Sequence, residues 1–176
     1  MSFVGSNILA GASGQGGAGY KIERSLRFNS DDNSYLNRTP STAGNVTTWT
    51  WSGWVKRSKL GQHTDIFSAV QNGQNATIIQ FDNNDQLDFE NFIGNSSQGR
   101  KITNALFRDT SAWYHIVVAY DSTNSTADDR VKLYVNGSQI TSFSYSENPG
   151  SGQVTIMNSA NPHNVGSDTG FNNHYF

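Results

Sequence analysis

From Lys21 onward, apolar and polar positions alternate with a period of two, and no stretch keeps a helical period. Residues 112–121, Ala-Trp-Tyr-His-Ile-Val-Val-Ala-Tyr-Asp, are apolar on both faces. Tyr114, Ile116, Val118 and Tyr120 alternate there with Trp113, Val117 and Ala119, which predicts a central strand lying between two layers. Val131, Leu133 and Val135 then alternate with Lys132, Tyr134 and Asn136, and Asn136-Gly137 supplies the positive-φ pair of a tight hairpin. Residues 47–57 read as a long strand. Trp49, Trp51, Gly53 and Val55 fall on one of its faces; Thr48, Thr50, Ser52, Trp54 and Lys56 fall on the other. Further strands are expected at 25–28 (a short, charged edge), 35–36, 65–70, 76–82, 86–92, 101–107, 140–145, 153–157 and 163–166. Short strands at such regular spacing, parted by Asn, Gly and Gln turns, predict an all-β chain folded as a two-sheet antiparallel sandwich.

Residues 1–20 depart from that pattern. A small, apolar start, Met1 to Ala10, runs into a stretch that is almost all Gly, Ala and Ser. Such a segment buries too little surface to fold alone, and its glycines make ordering costly. The expectation is an extended glycine-rich N-terminal arm at 1–20 and one sandwich domain at 21–176. Phe3, Val4, Ile8 and Leu9 are the apolar anchors of the arm, so its order is expected to come from a partner surface. A homo-oligomer, a trimer above other states, or docking onto another protein would supply one.

The segments W-Y-H-I-V-V-x-Y-D from Trp113 and V-x-L-Y-V-N-G from Val131 carry a family signature. With T-W-T-W-S-G-W-V-K (Thr48 to Lys56), Asp65-Ile66-Phe67-Ser68 and Asn164-Val165-Gly166, they resemble the laminin-G, pentraxin and concanavalin A-like jelly-roll family. The resemblance implies a jelly roll; it leaves function open, because that fold hosts lectins, hydrolases, adhesins and structural modules. The opening S-F-V-G-S-N-I-L-A-G-A-S-G-Q, with S-L-R-F-N-S and Y-L-N-R-T-P-S-T-A-G-N, is similar to uncharacterised jelly-roll proteins of marine bacteriophages, which implies a virion component. The family usually closes with a strand after a stretch like Gly170-Phe171. Here the chain stops at Phe176 without one, so either the sequence is a fragment or a partner completes the sheet.

Composition narrows the chemistry. Charged residues are 15% of the 176, aromatics 12%, and the net charge is -2, so no electrostatic footprint for nucleic acid or an anionic membrane exists. Four Trp and ten Phe in organised alternation argue against disorder. Without cysteine there is no disulfide, thiolate zinc site or cysteine nucleophile, which favours synthesis in a reducing cytoplasm such as a phage host's. The N-terminus has no basic region and long apolar core, so it is not read as a secretory signal, and no apolar run is long enough to span a bilayer.

Catalytic constellations are sparse. Residues 14–19 match G-x-G-x-x-G but lack the strand-then-helix setting that gives this motif meaning. Asp88 and Glu90 stand two apart as glycanase carboxylates would, yet Gln86 occupies the matching third position, and a solvated strand face is the expectation. No G-x-S-x-G elbow occurs. Calcium is the ion the resemblance implies; Asp31-Asp32-Asn33, Asp82 to Asp85 and Asp128-Asp129 are the acidic turns, with Asp82 and Asp85 slightly ahead. His63, His115, His163 and His174 are dispersed without a zinc pattern, and His115 reads as a core histidine. Trp54, Tyr134 and Trp113 fall on faces with partly polar neighbours and are the glycan-binding candidates. Aromatics also build sandwich cores, the preferred reading for Trp49, Trp51 and Trp113, while Trp54 is open to either. These features together lead to a non-enzymatic protein of the virion surface, a fibre or decoration that contacts host-surface glycans. A purely structural virion protein is the alternative, and a polysaccharide depolymerase is disfavoured by the missing carboxylate.

Overall fold

Two antiparallel sheets face each other in the computed structural model, which describes residues 25–176. The arm at 1–20, with Phe3, Val4, Ile8 and Leu9, lies outside the described residues. In chain order the strands are β1 (Leu36–Arg38), β2 (Thr48–Val55), β3 (Thr64–Asn72), β4 (Asn75–Phe81), β5 (Gln86–Ile93) and β6 (Ser96–Leu106). They continue as β7 (Tyr114–Asp121), β8 (Val131–Val135), β9 (Ser138–Gln139), β10 (Phe143–Glu147) and β11 (His163–Val165). The larger sheet has seven strands in the order β1-β11-β3-β4-β5-β6-β10, and the smaller has four in the order β2-β7-β8-β9. Among the described residues no helix is long and apolar enough to cross a membrane.

The alternation in the sequence is realised as burial. Trp49 and Val55 of β2, Ile116, Val118 and Tyr120 of β7, and Val131 and Leu133 of β8 meet Ile79, Phe81, Leu87 and Phe89 of the larger sheet. Trp49 stacks on Tyr120 with ring centroids 5.3 Å apart, and Phe89 packs against both. The polar ends of these rings are satisfied, as buried aromatics require: Trp49 Nε1 donates to Thr155 Oγ1 at 2.9 Å, and the Tyr120 hydroxyl donates to the Gln153 carbonyl at 2.8 Å. Asn136 and Gly137 both adopt positive φ (52° and 82°) and turn β8 into β9, as that dipeptide predicts.

Several expectations need correction. Residues 25–28 form no strand, because no neighbouring edge among the described residues pairs with them; Phe28 instead packs on Gly166. Residues 153–157 also form no strand. The Thr155 N–H goes to the Val46 carbonyl and the Ile156 N–H to Thr77 Oγ1, so this backbone is spent on a loop and a side chain rather than a ladder. Strand β7 is central within its sheet, yet only one face is core: Val117 and Ala119 on the other are half-buried, because no third layer among the described residues covers them. Asp88 is no solvated residue either. It is fully buried, with Arg100 donating to both its oxygens (3.1 and 2.7 Å) and reaching Glu90 at 3.5 Å.

The same outer face carries a roof. The C-terminal segment 167–174 crosses the outer face of the larger sheet, where Phe171 packs on Val70, Ala76 and Ile78 and meets Phe92 edge-on at 5.2 Å. A bulge in β3 at Ile66 sends Ile66 and Phe67 to the core while Asp65, opposite Gln80, faces outward under the roof. Burial, then the neighbouring Asp168 charge, holds the Asp65 carboxyl well above the usual carboxylate range.

Candidate functional site: an aromatic groove beside strand β2

Strand β2 pairs only with β7 among the described residues, so its other edge is open. Alongside this edge lies a groove of about 730 Å³, bounded across from β2 by residues 25–28 and floored by Trp51, Ile66, Phe67 and Phe176. Residue Gly53 is set by its neighbour: a Cβ there would lie 2.8 Å from the Trp51 ring, so only glycine lets that indole lie along the strand. Trp51 is consequently half-buried rather than enclosed in the core.

Two tryptophans stand at the mouth. Trp54, 57% exposed, points away from the core, as its place on the polar face of β2 requires. Its cross-strand partner is His115, and the two rings lie 4.9 Å apart at 30°. His115 is therefore a half-buried platform residue and not a core histidine. Trp113 is 45% exposed and lines the same groove, contrary to the core reading. It follows a turn held by Asp109, whose Oδ1 accepts the Ser111 hydroxyl at 2.6 Å and the Ser111 N–H at 2.8 Å; these bonds keep the Asp109 carboxyl below its usual range. Tyr134 does not line the groove. It is half-buried on the outer face of the smaller sheet, opposite Val117 and one residue pair along from His115.

Among the described residues the polar lining consists of the hydroxyls of Ser25, Ser52, Ser58 and Thr110 and the cations of Arg27 and Lys56, with the buried Arg57 behind them; no described lining side chain is a carboxylate. Ring faces with scattered hydroxyl and cationic donors can stack on and hydrogen-bond a neutral or acidic polyol, and no acid–nucleophile pair is available within this lining. The sequence reading found Trp54 and Trp113 but missed Leu26, Phe28 and Phe176, which join the groove only through tertiary contact.

The calcium candidates, Asp82 and Asp85, lie in the β4–β5 turn and are occupied by the protein itself. Asp82 Oδ1 accepts the N–H groups of Asn84 and Gln86 at 2.9 and 2.8 Å. Asp85 receives Arg57 at 2.9 Å, Arg108 at 2.9 Å and the Gly61 N–H at 2.8 Å. Burial pushes the Asp85 carboxyl up, but these donors outweigh it and hold it below the usual range. Arg57 is buried too, donates to the Phe107 carbonyl and sits 4.4 Å over the Phe81 ring. Because Arg57 follows β2 and Asp85 precedes β5, this pair clamps the two sheets together.

With the sandwich and groove described, the kinship is plain: the chain belongs to the concanavalin A-like lectin/glucanases superfamily, whose family pattern matches residues 28–176. Three solved structures share the fold. A heptameric SAP-like pentraxin from Limulus polyphemus is 18% identical, with 78% of this chain and 59% of the pentraxin covered at a TM-score of 0.53. Domains LG4-5 of the mouse laminin alpha1 chain are 16% identical, with 77% and 32% covered at 0.54. The CBM40 of a Ruminococcus gnavus IT-sialidase, solved with alpha2,3 sialyllactose, is 12% identical, with 81% and 84% covered at 0.51. The chain thus spans less than two thirds of the pentraxin and laminin chains it matches. Among curated proteins, none matches significantly.

Proposed function

We propose that this chain is a non-catalytic glycan-binding module, displayed on a bacteriophage particle, whose ligand lies in the groove beside β2 against Trp54 and Trp113. The observation that carries the reading is the pair of exposed tryptophans lining a 730 Å³ groove that also holds hydroxyl and cationic donors. Pockets of this size and chemistry bury a ligand of one to a few sugar rings. Membership in a superfamily named for lectins and glucanases supports the carbohydrate part. Among the described residues the lining offers rings, hydroxyls and cations rather than a carboxylate pair, which supports binding over hydrolysis. The virion part rests on the resemblance of the N-terminal sequence to marine phage proteins, with residues 1–20 as the attachment and host-surface glycans as the target.

The test is a glycan array followed by calorimetry on the strongest hit. Affinity between millimolar and micromolar is expected; it should survive moderate salt for a neutral glycan held by the rings, and fall with salt only for an acidic glycan that engages Arg27 or Lys56. Trp54→Ala should lower it about tenfold, near 1.4 kcal/mol. An array without hits, or a hit that Trp54→Ala binds equally well, removes the groove as a glycan site. The purely structural reading draws on one observation, an edge of β2 that no described residue pairs, which could accept a strand from a protein partner. In that case, assembly would be lost on altering the β2 edge while the array stays blank.

A further inference from the structure

Beneath the C-terminal roof, acids outnumber bases. The β3–β4–β5 register places Asp65 opposite Gln80, and Gln80 opposite Asp88. Arg100 compensates Asp88 and Glu90, and Gln80 Nε2 donates to Asp88 at 3.0 Å. Asp65 and Asp168 are left with one imidazole between them. Asp65 is 0% exposed, and neither of its oxygens has a hydrogen-bond partner. Asp168 is equally buried; its Oδ1 accepts the His174 N–H at 2.5 Å and its Oδ2 the Asn172 N–H at 3.3 Å, which folds the 168–174 loop. That loop returns His174 Nδ1 to 3.6 Å from Asp65 Oδ2 and 3.4 Å from Asp168 Oδ2, without a hydrogen bond to either. His63 stacks on the His174 ring at 4.9 Å and 11°, which fixes its plane.

A buried carboxylate pair facing one imidazole is costly unless a proton or a cation neutralises it. One donor atom from each of Asp65, Asp168 and His174 lies within 4.8 Å of the others. Bonds of about 2.0–2.2 Å at tetrahedral angles put neighbouring donors roughly 3.3 Å apart, close to the two separations seen here. We propose that Asp65, Asp168 and His174 bind a divalent cation of zinc type, which staples the C-terminal segment to strand β3. The imidazole nitrogen selects zinc and its first-row neighbours over calcium, and two carboxylates neutralise the ion. The second oxygen of Asp65 or a water completes the shell. This site is distinct from the groove, and its test needs no glycan.

The full-length chain is stripped with chelator and titrated with Zn²⁺, Co²⁺ or Ca²⁺ while thermal unfolding is followed. Zn²⁺ should raise Tm by about 5 °C or more at saturation. Co²⁺ should give visible d–d bands typical of nitrogen and oxygen ligands, a readout that needs no variant. Asp65→Asn and His174→Ala should abolish both signals, while Asp82→Asn retains them. Asp65→Asn removes a buried charge at constant shape, so its metal-free form should fold. Indifference of Tm to zinc together with a colourless cobalt titration overturns the proposal. So does a shift that survives Asp65→Asn, one lost only in Asp82→Asn, or one that calcium alone produces.

Discussion

The outward sides of the two sheets are built on opposite chemistry. On the four-stranded sheet no described residue covers the outer side: Trp54 pairs with His115 and Val117 with Tyr134 there, and the β2 edge that no described residue pairs lies along the groove. On the seven-stranded sheet residues 167–174 cross that side, which carries Asp65, Asp88 and part of Glu90; Arg100 holds Asp88 and Glu90, while Asp168 and His174 of the crossing segment face Asp65. A neutral aromatic loses little by facing water, so the first surface can stay available to a ligand. Buried charges are different. Each must be matched where it stands, so on the second surface every substitution is felt by the fold.

The sharpest way to break this contrast is Arg100→Met. It leaves Asp88 buried without its cation and should cost about 3–5 kcal/mol in urea unfolding; a loss below about 1 kcal/mol would mean the roofed face tolerates uncompensated charge. Next is the layer both sheets share. Val118→Ala should cost on the order of 1–3 kcal/mol through lost burial and a cavity, with the midpoint moving and the m-value unchanged. Acid comes third. The folded-state carboxyl of Asp85 is held below its unfolded value, so its contribution is fully present above about pH 4 and is lost as the pH falls toward the lowered pKa. The slope from this group is at most about 1.4 kcal/mol per pH unit, and Asp85→Asn should flatten it. The smallest effect belongs to the open side: Trp54→Ala should change stability by no more than about 0.5 kcal/mol while weakening glycan binding. A large stability loss there would make Trp54 a core residue in all but exposure.

Most of the strands were legible because a two-residue period can be read without knowing any partner. The one-face burial of Trp49 and Val55 in β2, the apolar stripe of β8 and the Asn136–Gly137 turn all follow from local sequence. The failures share a cause. Residues 25–28 and 153–157 have strand-like composition, but a strand exists only where another edge offers its N–H and C=O groups. Trp113 has the look of a core residue, yet the Asp109 turn directs it into the groove. The sequence could show Asp82 and Asp85 only as an acidic turn; that Arg57, far away along the chain, reaches back to Asp85 is visible only in the fold.

By itself, then, the sequence determined the class of fold, its principal strands, the inward faces of β2, β7 and β8, and the lack of any thiol. Alternation, turn residues and composition are properties of neighbours in the chain, and neighbours are what a sequence displays. Tertiary structure alone decided which edge of β2 is free, which aromatics share a groove, and that Asp65 meets Asp168 and His174 beneath the roof. Those facts depend on sheet order and on the path of residues 167–176, which bring together groups about a hundred positions apart whose separation carries no period and no motif.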